Sequence, residues 1–494
     1  MAFGGDPRRV PAGSGSGTDT VAEHRVRPER DRSRPSRGRR AALLTAIYSA
    51  VVLANLDLFV VNVALPQIGR AFPGAGISLL SWVLNGYAIA FAALLAPAGR
   101  WTDRLGRRGG FLAGLALFTL GSALCALSPG AGWLIGARVV QAVGAAALLP
   151  ASLALLLATA RPEHAGRVVR GWSAVGGVAA ALGPVAGGAL AQADWRWVFL
   201  INLPVGAAAL ALGLRVLPRG PRRAELRPDL VGALLLTAAV AAVALGLVQG
   251  GAWGWDSPRV LAALAAAPVL CALTVSRCSR HPAPVIEPAL LRTGAFGAAA
   301  AATLLFAAGF AGMILAASLW CQDGWSYSAL RTGLALAPGP LMVPPTAAAA
   351  GPLGRRFGPG PVAAAGNLLF GAGLLYIGLR SGSAPHYAAQ LLPGLLVGGI
   401  GVGLALPTLT AAAATALPVG RLATGTGVLT MARQVGAVLG VAVTVVLIGT
   451  PHGPDAARSA FHHAWYGLAA FATAAAAASL AVRRPGAGAG QGAS

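Results

Sequence analysis

Gly99-Arg-Trp-Thr-Asp-Arg-Leu-Gly106-Arg-Arg108 and, 252 residues later, Gly351-Pro-Leu-Gly-Arg-Arg-Phe-Gly358 are the stretches that organise this sequence. Each is an arginine- and glycine-bearing link between two long apolar runs. A second echo pairs Gly166-Arg167 and Gly171 with Gly420-Arg421 and Gly425, at an offset of 254. Two matches at nearly one offset point to an internal duplication. The repeats then cover 41–217 and 295–482, with 218–294 inserted between them.

The composition says what surrounds these links. Of 494 residues, 56% are hydrophobic and only 11% charged, with 68 Gly, 34 Pro and a mean hydropathy of +0.68. Soluble domains carry about 25% charged residues, so a water-soluble chain of this length is excluded. Fourteen apolar segments are long enough to span a bilayer, at about 20 residues each. They lie at 41–65, 79–98, 109–127, 132–158, 168–191, 197–216, 230–249, 259–276, 295–318, 332–351, 361–379, 387–412, 422–449 and 461–482. They are too long and too uniformly apolar for barrel strands. The expected fold is therefore an all-α polytopic membrane protein: two six-helix bundles, 41–217 and 295–482, plus two helices within 218–294.

The net charge of +23 comes from 38 basic residues, all arginine, against 15 acids. A basic chain usually suggests nucleic acid, but this composition offers no soluble basic face. Sorted by loop, thirty arginines fall on one side of the alternating path and six on the other. Arginine-rich loops stay cytoplasmic, so both termini are expected inside, with an even number of spans in the cytoplasmic membrane. Residues 1–40 and 483–494 read as polar cytoplasmic tails, the first disordered. The four cysteines lack metal-ligand or disulfide spacing and read as packing residues.

Two arginines, Arg138 and Arg433, lie inside spans instead, and Asp57 is the one acid well inside an apolar run. A charge there costs about 2.5–3.5 kcal/mol on insertion scales and marks a functional candidate. Asp57 can carry a proton; Arg138 is not readily deprotonated and can tune a carboxylate or clamp carbonyls. Gln141 shares a helical face with Arg138. Asn55 and Asn62 are on one face of the first span and Asp57 on roughly the opposite face. One side faces a cavity and the other packs on a neighbour, and the residues alone leave open which. Arg433 and Gln434 form a second buried pair and, with Asn55, Asn62 and Gln141, are candidate substrate-cavity residues. Trp82, Tyr87 and Trp172 either line an apolar cavity or pack between helices. In 99–108, Gly99 and Gly106 permit a tight turn, and Asp103, Arg104, Arg107 and Arg108 can form a charged latch. Gly183, Pro184, Gly187 and Gly188 combine close-approach glycines with a kink.

These residues resemble the major facilitator superfamily, and within it the fourteen-span drug:proton antiporter branch. Leu56 to Pro66 is similar to that branch's first-span signature, with Phe59 where Thr is common. Gly99–Arg108 matches its motif A. Arg138, Gln141 and Gly144 match motif B, with Ala142 in place of a Gly. Gly183-Pro184 with Gly187-Gly188 matches motif C. The copy at 351–358 has Arg355 where Asp103 falls, so only the first latch is complete. The resemblance implies alternating access between two bundles. It assigns the coupling proton to Asp57 with Arg138 assisting, the cytoplasmic gate to motif A and leak restriction to motif C.

The expected function is proton-coupled export (antiport) of amphipathic small molecules, drugs or antibiotics. A dedicated exporter of an endogenous metabolite or self-made antibiotic is the nearest rival. A polytopic membrane enzyme is disfavoured, because the longest internal loops lack clustered acids, histidines or a nucleophile. No GxxxxGK[ST] motif is present, so the proton gradient and not ATP is the expected energy source. No cofactor or metal is expected; adjacent His462 and His463 diverge on a helix. The expected partners are the small-molecule substrate, protons and membrane lipid, with no nucleic acid, and the chain is expected to act as a monomer.

Overall fold

The computed structural model describes residues 37–159, 165–218, 229–282, 284–382, 384–417, 422–451 and 453–482. The 1–36 and 483–494 tails fall outside these. Among the described residues there are helices and connecting turns but no strand. The first repeat holds α1 (Arg37–Ala71), α2 (Ile77–Leu105), α3 (Arg107–Ala126), α4 (Ala131–Thr159), α5 (Ala165–Ala193), the one-turn α6 (Trp197–Leu200) and α7 (Asn202–Val216). The insertion holds α8 (Leu230–Trp253), α9 (Pro258–Arg280) and the short α10 (Pro288–Arg292). The second repeat holds α11 (Gly294–Leu319), extended by a π-helical turn (Trp320–Gly324), then α12 (Ala329–Leu336) and α13 (Pro338–Phe357). It continues with α14 (Pro359–Arg380), the one-turn α15 (Tyr387–Gln390), α16 (Leu392–Thr415), α17 (Leu422–Ile448) and α18 (Pro454–Leu480).

Twelve of these helical segments are long and apolar enough to cross a membrane. Two apolar segments read from the sequence, 332–351 and 461–482, do not reach that apolarity. The first is broken at Ala337, where Pro338 starts a new helix because it has no N–H to continue the old one. Pro344, Pro345, Pro352, Arg355 and Arg356 dilute α13, and two histidines, Asp455 and Arg458 dilute α18.

The 99–108 stretch is less of a loop than its glycines imply. α2 runs through to Leu105, and Gly106 alone makes the corner, at φ 80 and ψ 144. Its partner in the second repeat, Gly358, does the same between α13 and α14, at φ 96 and ψ 155. Both need the positive φ that glycine supplies at no steric cost.

Packing follows the duplication. In the first half α3 and α2 both lie on α4, and α1 lies on α5 and α7. In the second, α14 lies on α16 and α18, and α11 on α17 and α18. Glycines set the closest approaches. Gly114 and Gly121 meet α4 backbone at Leu148 and Gln141, while Gly366 and Gly373, again 252 residues on, meet α16 backbone at Ala405 and Gly398. Without a water-driven hydrophobic effect between helices in lipid, such small residues gain dispersion by letting backbones touch. The halves meet where α2 lies on α17, α5 on α12 and α1 on α11, and α8 rests on both α2 and α17.

Gly440 faces the backbone of Ala308 in α11, with no room for a Cβ. Gly440→Leu must part α11 from α17 and is expected to cost about 1–3 kcal/mol. Gly136→Ala, which meets nothing within 4 Å, is expected to be neutral or slightly stabilising. Thermal unfolding in detergent compares the two. Equal midpoints would refute the glycine-seam account.

Candidate functional site

Asp57 lies just past the middle of α1, on the face turned to α4. It is 2% exposed, and Arg138, on α4, is 1% exposed. Arg138 Nη1 donates to Asp57 Oδ2, and the two form an ion pair sealed from solvent. The same Nη1 donates to Gln141 Oε1 at 2.6 Å, and Arg138 Nε donates to the Val83 carbonyl of α2 at 3.2 Å. The guanidinium lies over the ring of Tyr87, with Cζ 4.0 Å from the centroid, and 5.8 Å from that of Phe199.

The other carboxylate oxygen is equally well held. Gln141 Nε2 donates to Asp57 Oδ1 at 2.9 Å and Asn202 Nδ2 at 3.3 Å. Both amides also donate to Ser122 Oγ, at 2.8 and 3.2 Å. Ser122 Oγ in turn donates to the Phe118 carbonyl at 2.9 Å. Five helices therefore converge on one carboxylate: α1, α2, α3, α4 and α7. A buried charge is tolerated when it is paired and its remaining lone pairs are satisfied, and every term is met here.

The structure brings Asp57, Arg138, Gln141 and Tyr87 together. Tyr87 and Gln141 are fully buried in this network and are not walls of an open cavity, a correction to one of the two roles open to Tyr87. Trp172 ties α5 to α4 by donating from Nε1 to Ser152 Oγ at 2.9 Å. Trp82 packs in the core between α2 and α8. Asn55 and Asn62 are half-buried and donate to their own helix, at Val51 and Leu58. Asp57 packs on α4, and Asn55 lies beside α5 at Gly176. Gln434 is buried, while Arg433 is half-buried. Ser122 and Asn202 are additions. Asn202 is detectable as the one amide inside the 197–216 run, whereas Ser122 resembles any other small polar residue in a span.

The glycine motif of α5 is wedged between the halves. Gly183 abuts the Phe59 side chain and Gly187 the Val60 backbone, with 2.8 Å from a built Cβ to its carbonyl oxygen. Gly188 abuts Ala329 of α12, and Gly333 of α12 abuts the carbonyl of Pro184. Nearby, at the end of the bundle remote from the termini, Arg70 pairs with Asp323 at 3.3 Å. Gln322 Nε2 donates to the Val63 carbonyl at 2.8 Å, and Gln67 Nε2 to Gln322 Oε1 at 3.4 Å. These contacts tie α1 to the π-turn after α11. At the other end, Arg108 Nη2 donates to the Leu214 carbonyl at 2.6 Å. Gly99 and Arg107 are half-buried, and the side chains of Asp103 and Arg104 lie outside the described residues.

A buried ion pair between α1 and α4, among twelve helical segments long and apolar enough to span a bilayer, points to a polytopic membrane protein. The family model described as Major Facilitator Superfamily matches residues 47–348, and the chain belongs to that family. The chain is 34% identical over 442 residues to the "Probable actinorhodin transporter" of Streptomyces coelicolor, covering 86% of this chain and 75% of that one. It is 35% identical over 411 residues to "Multidrug resistance protein Stp" of Mycobacterium tuberculosis, covering 82% and 75%. A solved bacterial homolog of the human lysosomal transporter Spinster superposes with a TM-score of 0.64 at 18% identity, over 92% of this chain and all of that chain. That likeness is one of fold.

Asp57→Asn leaves the Arg138 charge buried without a counter-ion and is expected to cost about 3–5 kcal/mol. Adding Arg138→Met should recover more than half of that loss. The measurement is a thermal double-mutant cycle in detergent; additive single effects would contradict a coupled pair.

Proposed function

We propose that this transporter exports amphipathic small molecules, drugs or antibiotics, from the cytoplasm in exchange for protons, by alternating access of 41–217 against 295–482. The observation that carries the reading is the buried Asp57–Arg138 pair. A carboxylate whose only charged partner is a guanidinium has two stable arrangements: ionised and paired, or protonated and released. Motion of α1 against α4 converts one into the other. Burial seals the pair from the proton supply, so the proton enters only when the bundle opens. Arg138 keeps its own charge throughout and favours release of the proton each time the pair closes.

The rest of the cycle rests on family likeness and on contacts that fit it. The tie between Arg70, Gln67, Gln322 and Asp323 serves as an outer latch, and the 99–108 corner as an inner one. The α5 glycines let the halves press together without a leak path. Both termini lie in the cytoplasm, and α13 and α18 complete fourteen spans of the cytoplasmic membrane. Their 20- and 27-residue lengths and their packing against α16 and α14 support this. The chain works as a monomer with no cofactor. Its relatives include one named for a single antibiotic and one named for many drugs. A dedicated exporter of a self-made antibiotic uses the same geometry, and the breadth of resistance in a sensitive host separates the two.

In proteoliposomes under an imposed pH gradient, drug transport should be sensitive to uncoupler and fall at least about tenfold in Asp57→Asn. Undiminished transport by that variant would remove Asp57 from coupling. For topology, a cysteine replacing Asp455 should react with an impermeant maleimide from outside. One replacing Ser494 should react only after permeabilisation. The reverse pattern would exclude the proposed orientation.

A further inference from the structure

Arg433 is a charge inside a span that no described side chain answers. Asp57, the obvious counter-ion, is already spent on Arg138. A guanidinium is always protonated, so among the described residues α17 carries a positive charge at mid-helix with no counter-ion.

Burial along α17 shows where that charge points. Thr426, Thr430, Arg433, Ala437, Thr444 and Ile448 fall on one helical stripe, at spacings of four, three, four, seven and four. Thr426 is exposed, Thr430, Arg433 and Ala437 are half-buried, and Thr444 and Ile448 are 0% and 6% exposed. The stripe thus closes steadily away from the end that carries the termini. A lipid-facing stripe does not behave so; on α9, Leu261, Val269, Leu273 and Val275 are exposed along the length. The flanks of the stripe are also occupied. Gly436 and Gly440 abut α11. Met431 packs in the cluster of Tyr87, Phe91 and Leu95 on α2, and Val438 against Ala88, Ile89 and Ala244, where α8 covers the seam. Arg433 is turned about 140° from Val438, at 100° per residue. It lies on the face of α17 that is partly exposed toward the end of the bundle carrying the termini.

We propose that Arg433 receives the anionic group of the exported molecule, so that the substrate class is an amphipathic organic acid, a carboxylate or an acidic phenol. This rests on the export reading above and narrows it, away from cationic drugs. A guanidinium offers a planar fork of donors that matches a carboxylate in two parallel hydrogen bonds. Away from bulk water that pairing is strengthened, because the surroundings screen it less. The apolar body of the substrate lies along the aliphatic residues of α17 and α11.

The test uses the purified full chain and matched probes: anthraquinone-2-carboxylate and 2-naphthoate, each against its methyl ester. Binding is read by quenching of tryptophan fluorescence, and transport in proteoliposomes under a pH gradient. Wild type should bind each acid about tenfold more tightly than its ester. Arg433→Gln should abolish that preference while leaving ester binding within about twofold, and Arg433→Lys should retain part of it. Thr430→Asp, one turn away, supplies an internal counter-ion and should also abolish the preference, which guards against misfolding of the glutamine variant. Equal binding of acid and ester, no binding of either acid, or a preference that survives Arg433→Gln overturns the assignment. If ethidium is exported with uncoupler sensitivity in those cases, the export reading stands alone. If neither the acids, the esters nor ethidium move under any gradient, the export reading itself fails.

Discussion

The pairing of Asp57 with Arg138 is the constraint around which the first half is built. Two opposite charges sit at 2% and 1% exposure in a medium that solvates neither. Coulomb attraction alone does not repay such desolvation. The remaining lone pairs must be satisfied as well, and this requires Gln141, Ser122 and Asn202 at defined positions on α4, α3 and α7. Those positions in turn fix how the helices approach. Gly121 faces the backbone of Gln141, so a larger residue there would push the amide off the carboxylate. The glycine seam and the charge network are one design: the first lets the second close.

The duplication shows how selective that design is. Gly106 and Gly358, Gly114 and Gly366, and Gly121 and Gly373 all stand 252 residues apart and do the same packing work. Counting by the same interval, Asp57 falls on Gly309 and Ser122 on Leu374, which is buried in an apolar core. Gly373 meets Gly398 where Gly121 meets Gln141. The scaffold is therefore repeated and the polar network is not. The tie between α1 and the π-turn lies on the axis that relates the halves, since Arg70 and Asp323 are themselves 253 residues apart. Equivalent ends of α1 and α11 meet there, and the divergence of their residues into opposite charges turns a symmetric contact into a bond.

Much of this is legible in the sequence, for physical reasons. Lone charges in apolar runs are expensive, so Asp57, Arg138 and Arg433 stand out without any structure. Arginine counts in alternating loops set an expectation of topology, because arginine-rich loops are retained on the cytoplasmic side. What the residues do not reveal is partnership. Helical angles put Asp57 and Asn55 on opposite faces, but only tertiary packing shows that α4 takes the first and α5 the second. Ser122 and Asn202 carry no surplus cost as neutral residues and so leave little signal. Tyr87 reads equally well as a cavity aromatic or a packing one, and the guanidinium over its ring decides for packing. The α13 and α18 segments sit at the margin because proline, arginine and histidine lower apolarity without preventing a helix.

The inserted hairpin has a mechanical logic that follows from its surfaces. Internally it is tied: Asp229 caps α8 through the Gly232 amide at 2.9 Å and accepts from Arg277 Nε of α9 at 3.1 Å. Gly246 also nests against Leu264, and Gly250 against Trp255. Externally it is smooth. Where α8 meets the seam of α2 and α17, its residues are Val240, Ala241 and Ala244, against Ala88, Ile89 and Val438. A rigid pair resting on both halves through short aliphatic side chains resists separation, because lipid would have to fill the gap. It offers little resistance to sliding, since no residue in this patch forms a directional bond across it. Small shear between packed helices is how such interfaces accommodate domain motion. If the two halves move as proposed, an α8 so placed would keep the seam covered while α2 and α17 shift past each other.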